Sequence, residues 1–215
     1  MNGVLVVTGT DTGVGKTVVA AGLAAALDAY YWKPVQAGTE ESTDSETALA
    51  LGVPQDRIIP EAYRLALPAS PHRAAAQERI AIDSAALVLP SKRPLIVEGA
   101  GGLMVPLSLD PPLTFLDQMS VWNAPVVLVS RTSLGTINHS LLSLAALRSR
   151  GVRVAGLVFV GKDDPQNIEA IVRLGAATSL GRLHMLDPLE SATLRRAVAA
   201  NLHLATLRRI MEMGA

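Results

Sequence analysis

Gly9, Gly13 and Gly15 precede Lys16 and Thr17 in the stretch Val4-Leu-Val-Val-Thr-Gly-Thr-Asp-Thr-Gly-Val-Gly-Lys-Thr17. Glycines let successive backbone amides turn toward an anion, and the first turn of a following helix adds partial positive charge. Lys16 then brings a point charge to the outer phosphates of a nucleotide, and the Thr17 hydroxyl is a Mg²⁺ ligand by type. The common G-x-x-x-x-G-K-[ST] spacing would put its first glycine at Thr10. Here Gly9 stands one residue farther out, so the loop is enlarged by one. The residues expected on the nucleotide are Gly9, Thr10, Asp11, Thr12, Gly13, Val14, Gly15, Lys16, Thr17 and Val18.

Two more charges stand at the ends of apolar runs. Tyr30-Tyr-Trp-Lys-Pro-Val35 reads as a strand ending in a Lys-Pro turn, and Pro94-Leu-Ile-Val-Glu98 runs into Gly99-Ala-Gly-Gly102. Ligands of open α/β sheets gather beyond the carboxyl ends of strands, so position rather than charge singles out Lys33. A carboxylate delivered to that face, as Glu98 is, commonly holds Mg²⁺ directly or through water. Left unpaired there it would carry a desolvation cost.

The polar loop at 38–46 leads into a short helix, Thr47 to Leu51, with Asp44 and Glu46 read as an N-cap and a first-turn acid. Ser70-Pro71-His72 reads as a turn whose histidine, taken alone, is structural or solvated. Gly135, Thr136 and Asn138, in Leu134-Gly-Thr-Ile-Asn-His139, stand where a helix start could receive a carboxylate, with an ordinary Asn cap the equal alternative.

The elements that must position these groups alternate. A helix is expected from Lys16 to Leu27, and strands at Pro125–Ser130 and Val152–Val160 with a helix from Ser140 to Arg150 between them. A helix from Gln166 to Leu174, a short strand Leu183–Leu186, a helix opened by Pro188 and another at Ala205–Met213 complete the chain. Pro54 to Pro90 is irregular apart from a helix at Asp83–Leu89. Such alternation gives one doubly wound α/β domain over 1–215, a mostly parallel sheet with helices on both faces.

Composition agrees with that architecture. Apolar residues make up 49%, yet aromatics number only two Trp, three Tyr and two Phe, so the core must be aliphatic, as suits a covered parallel sheet. Nineteen basic and nineteen acidic residues leave no general attraction for nucleic acid or an acidic membrane. The absence of cysteine excludes disulfides, thiolate metal sites and a cysteine nucleophile. No apolar run approaches the ~18 residues of a membrane span, and Met-Asn-Gly passes directly into the first strand with no room for a leader. A cytoplasmic protein is expected.

With these segments in order, the sequence resembles the dethiobiotin synthetases. The resemblance rests on Thr8–Thr17, Lys33-Pro-Val-Gln-Ala-Gly38, Ser70-Pro-His72, Val97-Glu-Gly-Ala-Gly-Gly102 and Leu134–His139, and is loose in the last quarter. It implies ATP-dependent closure of a ureido ring on 7,8-diaminopelargonate with CO₂, with Mg²⁺ and a P-loop NTPase-like fold. By resemblance the catalytic residues are Lys16, Lys33 and Thr12, and the metal ligands are Thr17, Asp44 and Glu98, with Glu46 competing for the place of Asp44. Thr12, Lys33, Ala37, Ser70, Pro71, His72 and Gly101 would line the diamine site. Gly135, Thr136 and Asn138 would take the substrate carboxylate across a homodimer interface.

Three positions depart from the family pattern. Gly13 replaces a loop Glu found in some members, the second-loop acid is displaced, and Val160 stands for an adenine-reading Asn, which leaves base specificity open between ATP alone and a less selective nucleotide site. The rival reading is a regulatory ATPase switch of the partitioning or cell-division type, which carries a lysine where this chain has Asp11. A cobalamin-pathway amidase would need a further domain with a cysteine nucleophile. A binding module without chemistry would be expected to have lost Thr17, Lys33 or Glu98.

Overall fold

Every residue of the first strand, β1 (Val4–Gly9), is buried, as a strand covered on both faces must be. The computed structural model describes residues 3–213. After β1 come α1 (Lys16–Ala26), β2 (Tyr30–Trp32), β3 (Val35–Ala37), α2 (Asp44–Ala50), β4 (Ile58–Ile59), β5 (Tyr63–Leu65) and α3 (Pro71–Gln77). The middle holds β6 (Leu95–Gly102), the hairpin β7 (Pro106–Leu109) and β8 (Pro112–Thr114), α4 (Phe115–Trp122), β9 (Val126–Arg131) and α5 (Thr136–Ser149). The chain continues through β10 (Val154–Val160), α6 (Pro165–Leu174), β11 (Ser179–Leu183), α7 (Ser191–Asn201) and α8 (Leu204–Glu212).

Seven strands form the main sheet in the order β11-β10-β9-β1-β6-β2-β4, and all its pairings are parallel. Alternation along β1 divides the core: Val4 and Val6 pack with residues of α3 to α6, Leu5 and Val7 with residues of α1, α2, α7 and α8. A Cβ at Gly22 would stand 2.7 Å from Val198 Cγ2, so glycine there lets α1 approach α7 closely. β1 lies between β6 and β9, where the chain changes direction across the sheet, and this is where such folds bind ligands. Pairing of Val7 with Glu98 and of Trp32 with Val97 brings the phosphate loop, Glu98 and Lys33 to one level.

Several local expectations are corrected. The run Tyr30 to Val35 is not one strand: Pro34 has no N–H to donate, its carbonyl accepts from Ala62 and Tyr63, and β3 leaves the main sheet to pair with β5. Helix α2 begins at Asp44, because Thr43, not Asp44, is the cap; Thr43 and Glu46 close a reciprocal capping box. Ser70 caps a helix rather than opening a simple turn, with Pro71 at its first position.

The helix expected at Asp83–Leu89 is a single 3₁₀ turn, Ser84–Ala86. Tertiary bonds displace it, since the Leu87 carbonyl accepts from Trp122 and Gln118. The last strand is Ser179–Leu183, not Leu183–Leu186, because its register beside β10 ends where Gly161 N–H reaches Leu183 O. α5 starts at Thr136, earlier than Ser140, and α7 starts at Ser191, past Pro188.

Candidate active site

A cavity of about 720 Å³ opens at the carboxyl ends of β1, β2 and β6. Of the nucleotide-loop residues, Thr12, Gly13, Gly15, Lys16, Thr17 and Val18 line it. Gly9, Thr10, Asp11 and Val14 are not among the lining residues: Val14 is buried, and Asp11 pairs with Arg131 at 2.7 Å. Gly15 ends the loop at φ 95°, a left-handed conformation suited to glycine, and caps α1 without any side-chain bond. Val160 packs 3.2 Å from where a Gly15 Cβ would be, so it forms apolar support behind the loop. Lys33, Ala37, Asp44, Ser70, Pro71, Glu98 and Gly101 also line it. His72 is not among the lining residues; its Nδ1 is buried without a partner.

Three charged side chains and the Thr17 hydroxyl meet at the base of this cavity. Thr17 Oγ1 lies 2.9 Å from Asp44 Oδ1 and 2.8 Å from Glu98 Oε1. Lys33 Nζ lies 2.5 Å from Asp44 Oδ2, 3.1 Å from Glu98 Oε1 and 3.0 Å from the Gly99 carbonyl. Glu98 is wholly buried and Lys33 is 4% exposed, so neither is a surface ion. Burial works to lower the Lys33 pKa, but Glu98 and Asp44 outweigh it and raise the group above the ordinary lysine range. Burial likewise works to raise Asp44, and Lys33 overrides it, holding the carboxyl below its usual value.

Lys16 behaves differently. Its ammonium donates to the Asp11 carbonyl at 2.7 Å, and burial followed by repulsion from Lys33 lowers its pKa to about 8. A phosphate placed between the two ammonium groups would relieve that repulsion.

Thr17, Asp44 and Glu98 offer oxygen donors only, the chemistry of a hard cation. The Lys33 ammonium already sits against both carboxylates, so the cluster accommodates positive charge. Among the described residues no group of three His, Cys, Asp or Glu side chains is placed to hold a metal. Two carboxylates and a hydroxyl nevertheless fit Mg²⁺, which keeps several waters and takes further oxygens from substrate phosphates. Glu46 points elsewhere, to the Thr43 amide and, at 3.5 Å, to Arg64.

Gly135, Thr136 and Asn138 lie outside this cavity. The cap of α5 is Gly135, so Asn138 is not the cap; it stands exposed in the first turn, while the Thr136 hydroxyl is tied to Ser130 and to the Arg131 carbonyl. Two other residues at the cluster escaped sequence reasoning. Gln36 accepts the Asp44 amide and donates to the Ala37 and Gly38 carbonyls, and the Tyr31 hydroxyl donates to Glu98 Oε2 at 2.6 Å. Tyr31 alone carried a signal, because it and Glu98 fall on one side of adjacent strands once β2 is known to lie beside β6.

A family model described as an AAA domain matches residues 3–193. Among solved structures, the cell division ATPase MinD of Pyrococcus furiosus aligns over all of both chains with a TM-score of 0.59 at 14% identity. A chain of the MinC:MinD cell division protein complex of Aquifex aeolicus aligns over 97% of this chain and 95% of its own with a TM-score of 0.58 at 15% identity. These likenesses, with the glycine loop and its Lys16-Thr17, define a P-loop nucleotide-binding protein.

Sequence relatives narrow the class. A protein of Nitrobacter hamburgensis called ATP-dependent dethiobiotin synthetase BioD is 54% identical, with 91% of this chain and 92% of that one covered. Proteins of the same name from Rhodopseudomonas palustris strain TIE-1 and from Bradyrhizobium sp. are each 55% identical, covering 93% and 94% of this chain and 94% and 96% of their own. The chain belongs to the ATP-dependent dethiobiotin synthetases, ligases that form carbon–nitrogen bonds. Fold likeness alone carries the switch reading.

Proposed function

We propose that the cavity is where this synthetase converts 7,8-diaminopelargonate, CO₂ and ATP into dethiobiotin, ADP and phosphate. The observation that carries the reading is the convergence of two buried lysines and two acids on one strand-end cavity. One amine of the diamine adds to CO₂ and loses a proton, giving a carbamate. A carbamate oxygen attacks the γ-phosphorus and ADP leaves, giving a carbamic-phosphoric anhydride. The second amine attacks the carbonyl carbon and loses a proton, phosphate leaves, and the ureido ring is closed.

Phosphoryl transfer of this kind depends on positioning and on charge stabilisation. Lys16 stabilises the outer phosphates, and Lys33 neutralises the carbamate and then the transferred phosphoryl group. Thr12, Ala37, Ser70, Pro71 and Gly101 shape the diamine end, and His72, next to Pro71 in α3, stands outside the lining. Thr17, Asp44 and Glu98 would hold Mg²⁺, which would supply charge neutralisation for the phosphoryl transfer. Gly135, Thr136 and Asn138 of one protomer receive the carboxylate of a substrate bound by its partner in a homodimer. Among the described residues no helix is long and apolar enough to cross a membrane, and we place the reaction in the cytoplasm.

The test is to incubate the protein with diamine, bicarbonate, Mg²⁺ and ATP, or CTP in a parallel arm, and to follow products by mass spectrometry. The account expects dethiobiotin and phosphate in equal amounts. Nucleotide hydrolysis without ureido product in either arm would overturn it.

A further inference from the structure

The two oxygens of Glu98 have separate surroundings. Oε1 faces the cavity, where Thr17 and Lys33 approach it. Oε2 accepts the hydroxyl of Tyr31, a residue with no exposed surface. Tyr31 reaches it because β2 and β6 pair with Tyr31 beside Ile96, both in the apolar cluster on the α1 side, and Glu98 lies two residues farther along on that side. The aromatic ring is packed among aliphatic side chains, so its hydroxyl has a fixed position.

A carboxylate gripped at one oxygen cannot turn to offer both oxygens to a cation or exchange one for the other. We infer that Tyr31 is a positioning residue that locks Glu98 so that only Oε1 is presented to the divalent cation. This inference rests on the metal role given above to Glu98. A phenylalanine in its place would keep the ring and leave Oε2 unpaired in apolar surroundings, where it is free to rotate toward the cavity or toward Lys33. Partners that orient ligating carboxylates typically change metal affinity by about 10- to 100-fold when removed.

The test uses the full-length protein as wild type, Tyr31→Phe, Glu98→Gln and the double variant. Mn²⁺ binding in the presence of ADP is measured by electron paramagnetic resonance, and the Mg²⁺ dependence of ring closure is measured in parallel. Tyr31→Phe is expected to weaken Mn²⁺ about 10-fold or more and to raise the half-saturating Mg²⁺ to match, with kcat at saturating Mg²⁺ falling by a smaller factor. In the Glu98→Gln background the same substitution should change Mn²⁺ affinity no further, whereas a general loss of packing would weaken both backgrounds alike. Equal weakening in both backgrounds, or an unchanged Mn²⁺ affinity in Tyr31→Phe while Glu98→Gln weakens it, overturns the role of Tyr31 alone. Unchanged Mn²⁺ affinity in Glu98→Gln overturns the metal reading and the inference with it.

Discussion

Helices α1 and α5 begin in the same way, after adjacent strands β1 and β9, with a left-handed glycine at the cap and no side-chain bond to it. Gly15 has φ 95° and Gly135 φ 90°. Their surroundings are opposite. At Gly15 the helix start is enclosed by groups from β6, by Lys33 following β2 and by Asp44 of α2, and Lys16 is only 7% exposed. At Gly135 the neighbouring Leu134 is fully exposed, Gly135 and Asn138 face outward, and a Cβ on Gly135 would touch nothing within 4 Å. One backbone device can therefore serve phosphate when the chain supplies walls and counter-charges around it. The other is open within a single chain, as a site shared between protomers would be.

Breaking the enclosed site should cost most. Lys16→Ala and Lys33→Ala are each expected to lower kcat by about 100-fold or more, the scale of removing a charge from a transition state, with circular dichroism unchanged. Near-normal steady-state turnover would remove that lysine from the mechanism. At the open helix start, Asn138→Ala should raise KM for the diamine by about 10-fold with kcat nearly unchanged, since a hydrogen bond to a charged group is lost. An unchanged KM would show that this start does not hold the carboxylate.

A smaller effect sharpens the contrast through pH. Lys16 titrates near 8 in the free protein because burial and Lys33 lower it. A bound polyphosphate raises that value, so binding takes up a proton above pH 8, and affinity is present below pH 8 and lost above it. Isothermal titration should show ATP binding weakened about 10-fold between pH 7 and pH 9, and a flat profile in Lys16→Met. The smallest effect belongs to Glu46→Ala, which should leave turnover within about twofold while lowering the melting temperature slightly through loss of the bond its carboxylate accepts from the Thr43 amide. Asp44→Asn, two residues away, should instead impair turnover and Mg²⁺ dependence strongly.

That last pair shows what the sequence could and could not disclose. The phosphate loop was legible because its chemistry is contiguous, and Lys33 and Glu98 because each ends an apolar run. Asp44 and Glu46 were inseparable while Asp44 was read as the cap. The Thr43-x-x-Glu46 spacing of a capping box was present and would have freed Asp44 for the cavity. Tyr31 acts on an acid 67 residues away, and only the pairing order puts it there, whereas Gln36 meets the Asp44 amide eight residues on through the path of the intervening loop, which no residue spacing discloses. The 3₁₀ turn at Ser84–Ala86 shows the same limit, because bonds from α4 override local helix preference.

The central claim is that Lys16 and Lys33 act on one phosphorus atom. It is tested most directly by a crystal structure with the diamine, bicarbonate, Mg-ADP and aluminium fluoride, which mimics the phosphoryl group in transfer. The account predicts both ammonium groups within hydrogen-bond reach of the fluoride, with Lys33 drawn away from at least one of its two carboxylates. Lys33 remaining on Asp44 and Glu98 while the fluoride contacts Lys16 alone would contradict it.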